Sequence, residues 1–282
     1  MDLSHLQRIL DETMREQNNR PVPKFEGYSP FEMHHLLYST LEKESPIQLQ
    51  RLTEADCKKI PILNLAKHLI DLIDKNKEIK LTQKGYLPLK IVSELYQTKY
   101  TKDKRIYLPA KQFKEIEVPS IHLARILLEI SGLIKIKNGK MSLSQNTKKI
   151  VADNNVLLRL LWETFTNKFN WAYFDLYGEN DIGQFGYGFS LVLLSKYGHV
   201  KRLDSFYAEK YFIALPLLLE RQDAEFRQKR ANVCYSFRTF RIFLNYFGLA
   251  EFEIGPMPEA GLYIQKTELF DKLIKCKPHK SY

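Results

Sequence analysis

The chain has 282 residues, 44% of them hydrophobic and 12% aromatic, and carries a formal net charge of +10. That apolar share is enough to bury a sizeable core and excludes an intrinsically disordered class. The charge favours anionic partners such as nucleic acid or an acidic protein surface, although a soluble protein with lysines spread along its length would carry the same excess.

No run approaches the ~20 apolar residues that cross a bilayer, so no membrane partner is expected. The opening MDLSHLQRILDETMREQNNR lacks the apolar centre of a secretory signal. Cys57, Cys234 and Cys276 are widely spaced and odd in number. That suits reduced thiols and a cytoplasmic location better than a disulfide framework. With no CxxC pair, neither a metal nor another cofactor is expected.

Leu3, Leu6, Ile9 and Leu10 recur at helical spacing and predict a helix over residues 1–18. NNRPVPKFEGYSP reads as a linker. Ser29 then serves as N-cap, with Pro30 at the first helical position and Glu32 at the third, to open PFEMHHLLYSTL. His34 and His35 point about 100° apart on a helix and do not share one ion easily. IPILNLAKHLIDLIDKN carries a helical apolar stripe, EIKLTQ is extended, and Lys84-Gly85 is a turn before the helix PLKIVSELYQ. The basic loop KYTKDKRIYLPAKQFKEIEVP leads to a third helix, SIHLARILLEISG, with Ser120 as its cap and Gly132 at its end. LIKIKNGKMSLS is a β-hairpin turning on Asn138-Gly139, the preferred type I′ pair. QNTKKIVAD closes the unit. Helix, strand, helix, helix, strand, strand is the order of a winged helix.

The order recurs. ARILLEISGL (124–133) and FRIFLNYFGL (240–249) match at five of ten positions, among them Arg125/Arg241 and Gly132/Gly248. A repeat with a period above about 100 residues indicates a duplicated domain. The expected fold is mainly α with short β-hairpins (α+β): an N-terminal helical extension (1–55), a winged-helix unit (56–153), a bridging helix and linker (154–183) and a second winged-helix unit (184–282).

The runs YSPFEMHHLLY, KLTQKGYLPLKIVSELY, FNWAYFDLY with GQFGYGFSLVLLSKYG, and FRTFRIFLNYFGL together resemble a family of uncharacterised bacterial proteins. Some of its members carry a SEC-C-type cysteine-rich, metal-binding tail. Such a tail is not expected here, since only KPHKSY follows Cys276. The resemblance covers most of the chain from about residue 27 and implies a bacterial origin, with no established activity.

A winged helix can present its third helix to the major groove and its wing to the backbone. The third helix of the first unit is apolar nearly all round, which predicts burial rather than base reading. Its wing offers Lys135, Lys137 and Lys140, followed by Lys148 and Lys149, as phosphate contacts. Lysines that protect a sheet edge would look the same. In the second unit Arg227, Lys229, Arg230, Arg238 and Arg241 are the candidates for nucleic acid, with 238 and 241 neighbours at i,i+3. An arginine at matched positions of both copies, Arg125 and Arg241, also fits a structural role.

Catalytic motifs are missing: there is no GxxxxGK[ST], HExxH or GxSxG. Gly183, Gly186 and Gly188 are spaced G-x-x-G-x-G, unlike a dinucleotide loop. Asp175, Glu179 and Asp181 could gather round a cation but lack EF-hand spacing, and a solvated acidic loop accounts for them. The expected function is that of a non-catalytic, winged-helix protein binding DNA or RNA, with a regulatory role fitting that reading. A protein-interaction scaffold with a protein partner is the alternative. An enzyme with a site between the two units is the second.

Overall fold

A computed structural model describes residues 3–101, 113–255 and 261–279. The middle of the basic loop and most of the PMPEAG turn lie outside the described residues. The fold is mainly helical with small antiparallel sheets, as the composition of elements predicts. Among the described residues no helix is long and apolar enough to cross a membrane.

The described strands are β1 (Ile47–Leu49), β2 (Ile79–Lys80), β3 (Ile134–Lys137), β4 (Lys140–Leu143), β5 (Arg202–Leu203), β6 (Ala250–Ile254), β7 (Leu262–Lys266) and β8 (Ile274–Cys276). They form a β1-β8 pair and two three-stranded sheets, ordered β2-β4-β3 and β5-β7-β6. In each larger sheet the short strand after the first helix pairs with the second strand of the hairpin.

The chain divides into two compact units. A central unit holds residues 51–176 and 246–248; a terminal unit holds 1–50, 177–245 and 249–282. This differs from the expected boundaries in two places. Residues 1–50 belong with the second half of the chain instead of standing as an extension, because β1 pairs with β8 in the register Ile47↔Cys276, Gln48↔Lys275, Leu49↔Ile274. The helix Asn154–Asn167 belongs to the central unit and is not a bridge.

In the central unit the helix Pro61–Asn76 buries Ile62, Leu65, Ala66, Leu69, Leu72 and Ile73, the stripe its spacing predicts. The helix Leu89–Gln97 follows, then Pro119–Ile130. The latter starts at Pro119 without a side-chain cap. Ser120, expected as that cap, is buried, and its hydroxyl pairs with that of Thr101 at 2.9 Å. Gly132 ends the helix at φ 75°, with the Leu133 N–H donating back to the Leu128 carbonyl. Asn138 (φ 51°) and Gly139 (φ 69°) both take the left-handed conformation a type I′ turn demands.

In the terminal unit the helix Pro30–Tyr38 carries a full capping box. Ser29 Oγ accepts from the Glu32 N–H, and the Glu32 carboxylate accepts from the Ser29 N–H at 2.9 Å. The same carboxylate takes His279 Nδ1 at 2.6 Å, and Tyr28 Oη donates to the Lys277 carbonyl at 2.7 Å. Against this helix runs Tyr187–Tyr197, where Gly188 is required: a Cβ there would lie 2.5 Å from the Leu36 carbonyl oxygen. The helices Asp204–Ala214 and Ala231–Ser236 follow, the second continuing as a π-helix over Phe237–Leu244.

Candidate nucleic-acid interface

Successive residues of a strand face opposite sides of its sheet. On the inner face of β2-β4-β3 lie Ile79, Met141, Ile134 and Leu143, with Ile136 at the rim. The opposite face takes what alternates with them: Lys80 of β2, Lys140 and Ser142 of β4, and Lys135 and Lys137 of β3. Register then aligns three of these. Lys80 is the Cα partner of Lys140, and Lys140 is the partner of Lys137. Three lysines therefore stand at aligned positions on one face across three strands, with Lys135 one step behind.

Like charges directly opposite on a sheet are destabilising. The row is relieved at one point, where Lys140 Nζ meets Glu78 Oε1 at 2.5 Å with both side chains half exposed. Lys80, Lys135 and Lys137 are exposed and ion-pair with no described residue. Beyond the sheet, Lys148 Nζ lies 2.9 Å from Asp74, and the hydrogen bond holds the Asp74 carboxyl below the usual carboxylate range. Lys149 is exposed and ion-pairs with no described residue. Edge protection places lysines on edge strands. It does not account for Lys140, which sits on the central strand. Lys80 escaped the reading of the sequence, because EIKLTQ alone does not say which residue will face the hairpin's lysines.

The third helix of this unit, Pro119–Ile130, buries Ile121, His122, Leu123, Ala124, Arg125, Leu127 and Leu128. What it leaves half-buried or exposed, Pro119, Ile126, Glu129 and Ile130, includes no Arg, Lys, Asn or Gln to read bases. Arg125 is turned inward, its Nε donating to Glu115 Oε1 at 2.6 Å and its Nη1 to Glu129 at 2.9 Å.

The arginine set of the terminal unit does not come together as expected. Arg238 is fully buried. Its Nη1 donates to the carbonyls of Asn180 (2.7 Å) and Ile182 (3.2 Å) and to Asn180 Oδ1 (2.9 Å), and its Nη2 to the Gly178 carbonyl (3.0 Å). A guanidinium so engaged is not available to phosphate. Arg241 is half-buried, 5.7 Å from the Phe252 ring centre, and its buried Nε hydrogen-bonds no described residue. Arg227, Lys229 and Arg230 are exposed on and just after the short helix Ala224–Lys229. Lys229 approaches Glu225 at 3.6 Å, and the Arg230 guanidinium lies 5.3 Å from the Tyr177 ring centre.

The second hairpin reverses the sign of the first. Extending the match of ARILLEISGL with FRIFLNYFGL sets Lys135 on Glu251 and Lys137 on Glu253. In β6 these glutamates face the same side as Tyr263 and Gln265 of β7, and Glu253 pairs with Lys201 at 2.6 Å. The unrelieved lysines therefore lie on the central unit's sheet, and the second hairpin carries glutamates at the matching positions. Asp175 is half-buried and Glu179 and Asp181 are exposed. Among the described residues no group of His, Cys, Asp or Glu is arranged to hold a metal ion.

Compared with protein-family models, curated proteins and solved structures, the chain matches none.

Proposed function

We propose that the protein binds nucleic acid, and that it does so through the lysine face of the β2-β4-β3 sheet. In this reading each three-stranded sheet with its preceding helices is a winged-helix unit, the two arose by duplication, and the first has kept a phosphate-binding wing. The observation that carries the reading is the row Lys80–Lys140–Lys137, whose self-repulsion an anionic backbone would relieve. With the third helix buried, contact is to phosphates and carries no base code.

The test is a fluorescence-anisotropy titration with duplex and single-stranded oligonucleotides at several salt concentrations. Four lysines on phosphates give log K a slope of about −3 to −4 against log salt on duplex, since each neutralised phosphate releases counterions. The double variant Lys135→Ala/Lys137→Ala should weaken binding equally across sequences and flatten the slope by about 2. Absence of binding to both oligonucleotides at low salt would sink the proposal.

A protein partner is the second reading. It is favoured by the helix Leu3–Asn19, whose residues Leu3, Leu6, Ile9, Leu10 and Met14 are exposed. Co-purification of a stoichiometric protein, released when Leu6 and Leu10 become Ser, would support it.

A further inference from the structure

Glu115, His122 and Tyr173, all of the central unit, form a relay from a buried carboxylate to the surface. Glu115 is fully buried. Its Oε2 accepts from the Leu87 N–H at 2.6 Å, and its Oε1 lies 2.6 Å from Arg125 Nε and 2.5 Å from His122 Nδ1. An ionised carboxylate only accepts, so Nδ1 of the imidazole carries a proton. In the neutral ring Nε2 is then a lone pair. That lone pair meets Tyr173 Oη at 3.0 Å, so the phenol donates to it. The imidazole is 2% exposed and the tyrosine 56%. A shielded, oriented base thus faces a phenol that solvent can reach. A nucleophile on a base that a third group orients is the geometry of covalent catalysis.

We propose that Tyr173 is an activated nucleophile that accepts an acyl group, with His122 as its general base and Glu115 as the residue that positions the base. The ring neighbours of Tyr173 are Phe169, Phe174 and His122. This largely aromatic surround suits a neutral acyl donor with a good leaving group better than a multiply charged phosphoryl donor. The phenol oxygen attacks the acyl carbon, forming the ester C–O bond as the bond to the leaving group breaks. The phenolic proton passes to His122 Nε2, and the leaving group departs with its electron pair and takes that proton from the imidazolium, which returns His122 to its neutral form. This assignment is independent of the phosphate contact.

Full-length protein treated with limiting N-acetylimidazole and mapped by peptide mass spectrometry tests it, with hydroxylamine release confirming an O-acetyl ester. Tyr38 is the control within the same molecule: it is 67% exposed, and its hydroxyl bonds no described residue. The expected result is acetylation of Tyr173 at least about ten-fold faster than Tyr38, a modest demand on a general base. His122→Gln and Glu115→Gln should lower the Tyr173 rate and leave the Tyr38 rate unchanged. Equal rates at the two tyrosines in the unsubstituted protein would overturn the proposal, whether or not the variants fold. A Tyr173 advantage that survives in folded His122→Gln would overturn the role of the base.

Discussion

A buried guanidinium cannot be left without acceptors, because its desolvation costs several kcal/mol unless hydrogen bonds replace the lost water. Arg238 finds its acceptors in one loop, at the carbonyls of Gly178, Asn180 and Ile182. The irregular backbone of that loop in turn needs donors, and the arginine supplies them. Arg238→Ala removes the donor and leaves buried carbonyls unpaired, which should cost about 3 kcal/mol. A lowered urea midpoint checks this, and oligonucleotide binding by the folded fraction should keep its salt slope. Nothing in FRTFR distinguishes Arg238 from an exposed arginine, because its acceptors come from the loop at 178–182. Spacing at i,i+3 from Arg241 suggested a shared phosphate site, whereas burial decides otherwise.

Glu115 makes the opposite electrostatic case at the same scale. Burial alone would raise its carboxyl, but hydrogen bonds from His122, the Leu87 N–H and Arg125, with the arginine's charge, outweigh burial and hold it below the usual carboxylate range. A carboxylate depressed in the fold contributes stability that is complete above its unfolded pKa and is lost as pH falls through the folded one. The unsubstituted protein should therefore lose stability with acid below the usual carboxylate range. Folded Glu115→Gln, lacking this titration, should show a shallower loss there. Denaturant melts of both proteins between neutral pH and about pH 3 compare the slopes.

At the scale of elements, the hairpin β3–β4 shows what local chemistry settles and what it leaves open. The Asn138-Gly139 turn and the alternation of LIKIK were legible because a two-residue loop fixes the register of its own flanking strands. The third strand was not so constrained. Only its pairing, Ile79↔Met141 and Lys80↔Lys140, brings Lys80 into the row. Likewise the burial of Pro119–Ile130 follows from its apolar circumference. Its start does not, since Pro119 preempted the expected cap at Ser120. If the lysine row is self-repelling, Lys137→Gln should raise stability at low salt by about half a kcal/mol. The gain should vanish at about 1 M salt, where the Debye length falls to roughly 3 Å. On the proposed reading the same substitution should weaken oligonucleotide binding, so stability and binding should move in opposite directions.

At the scale of the whole molecule, the path of the chain was the least legible feature. A three-residue strand such as IQL carries too little pattern to announce that it pairs with residues 274–276, so residues 1–50 looked separate. The return of the chain to the central unit is still shorter, three residues from Tyr246 to Gly248. Its middle residue, Phe247, is fully buried, 5.1 Å from the Trp162 ring and 5.7 Å from that of Phe165. Both tryptophans of the protein, Trp162 and Trp171, lie in this unit and are buried. Tryptophan fluorescence therefore reports on the central unit alone. Phe247→Ala removes a ring that the surrounding core cannot replace, and a cavity of that size costs about 3–5 kcal/mol. The denaturation midpoint read by tryptophan emission should fall accordingly. Phe31→Ala, at a half-exposed ring of the terminal unit, should leave that midpoint nearly unchanged, within about 0.5 kcal/mol. If the two variants shift it equally, Phe247 is not the plug of the central core, and the three-residue return is only a crossing of the chain.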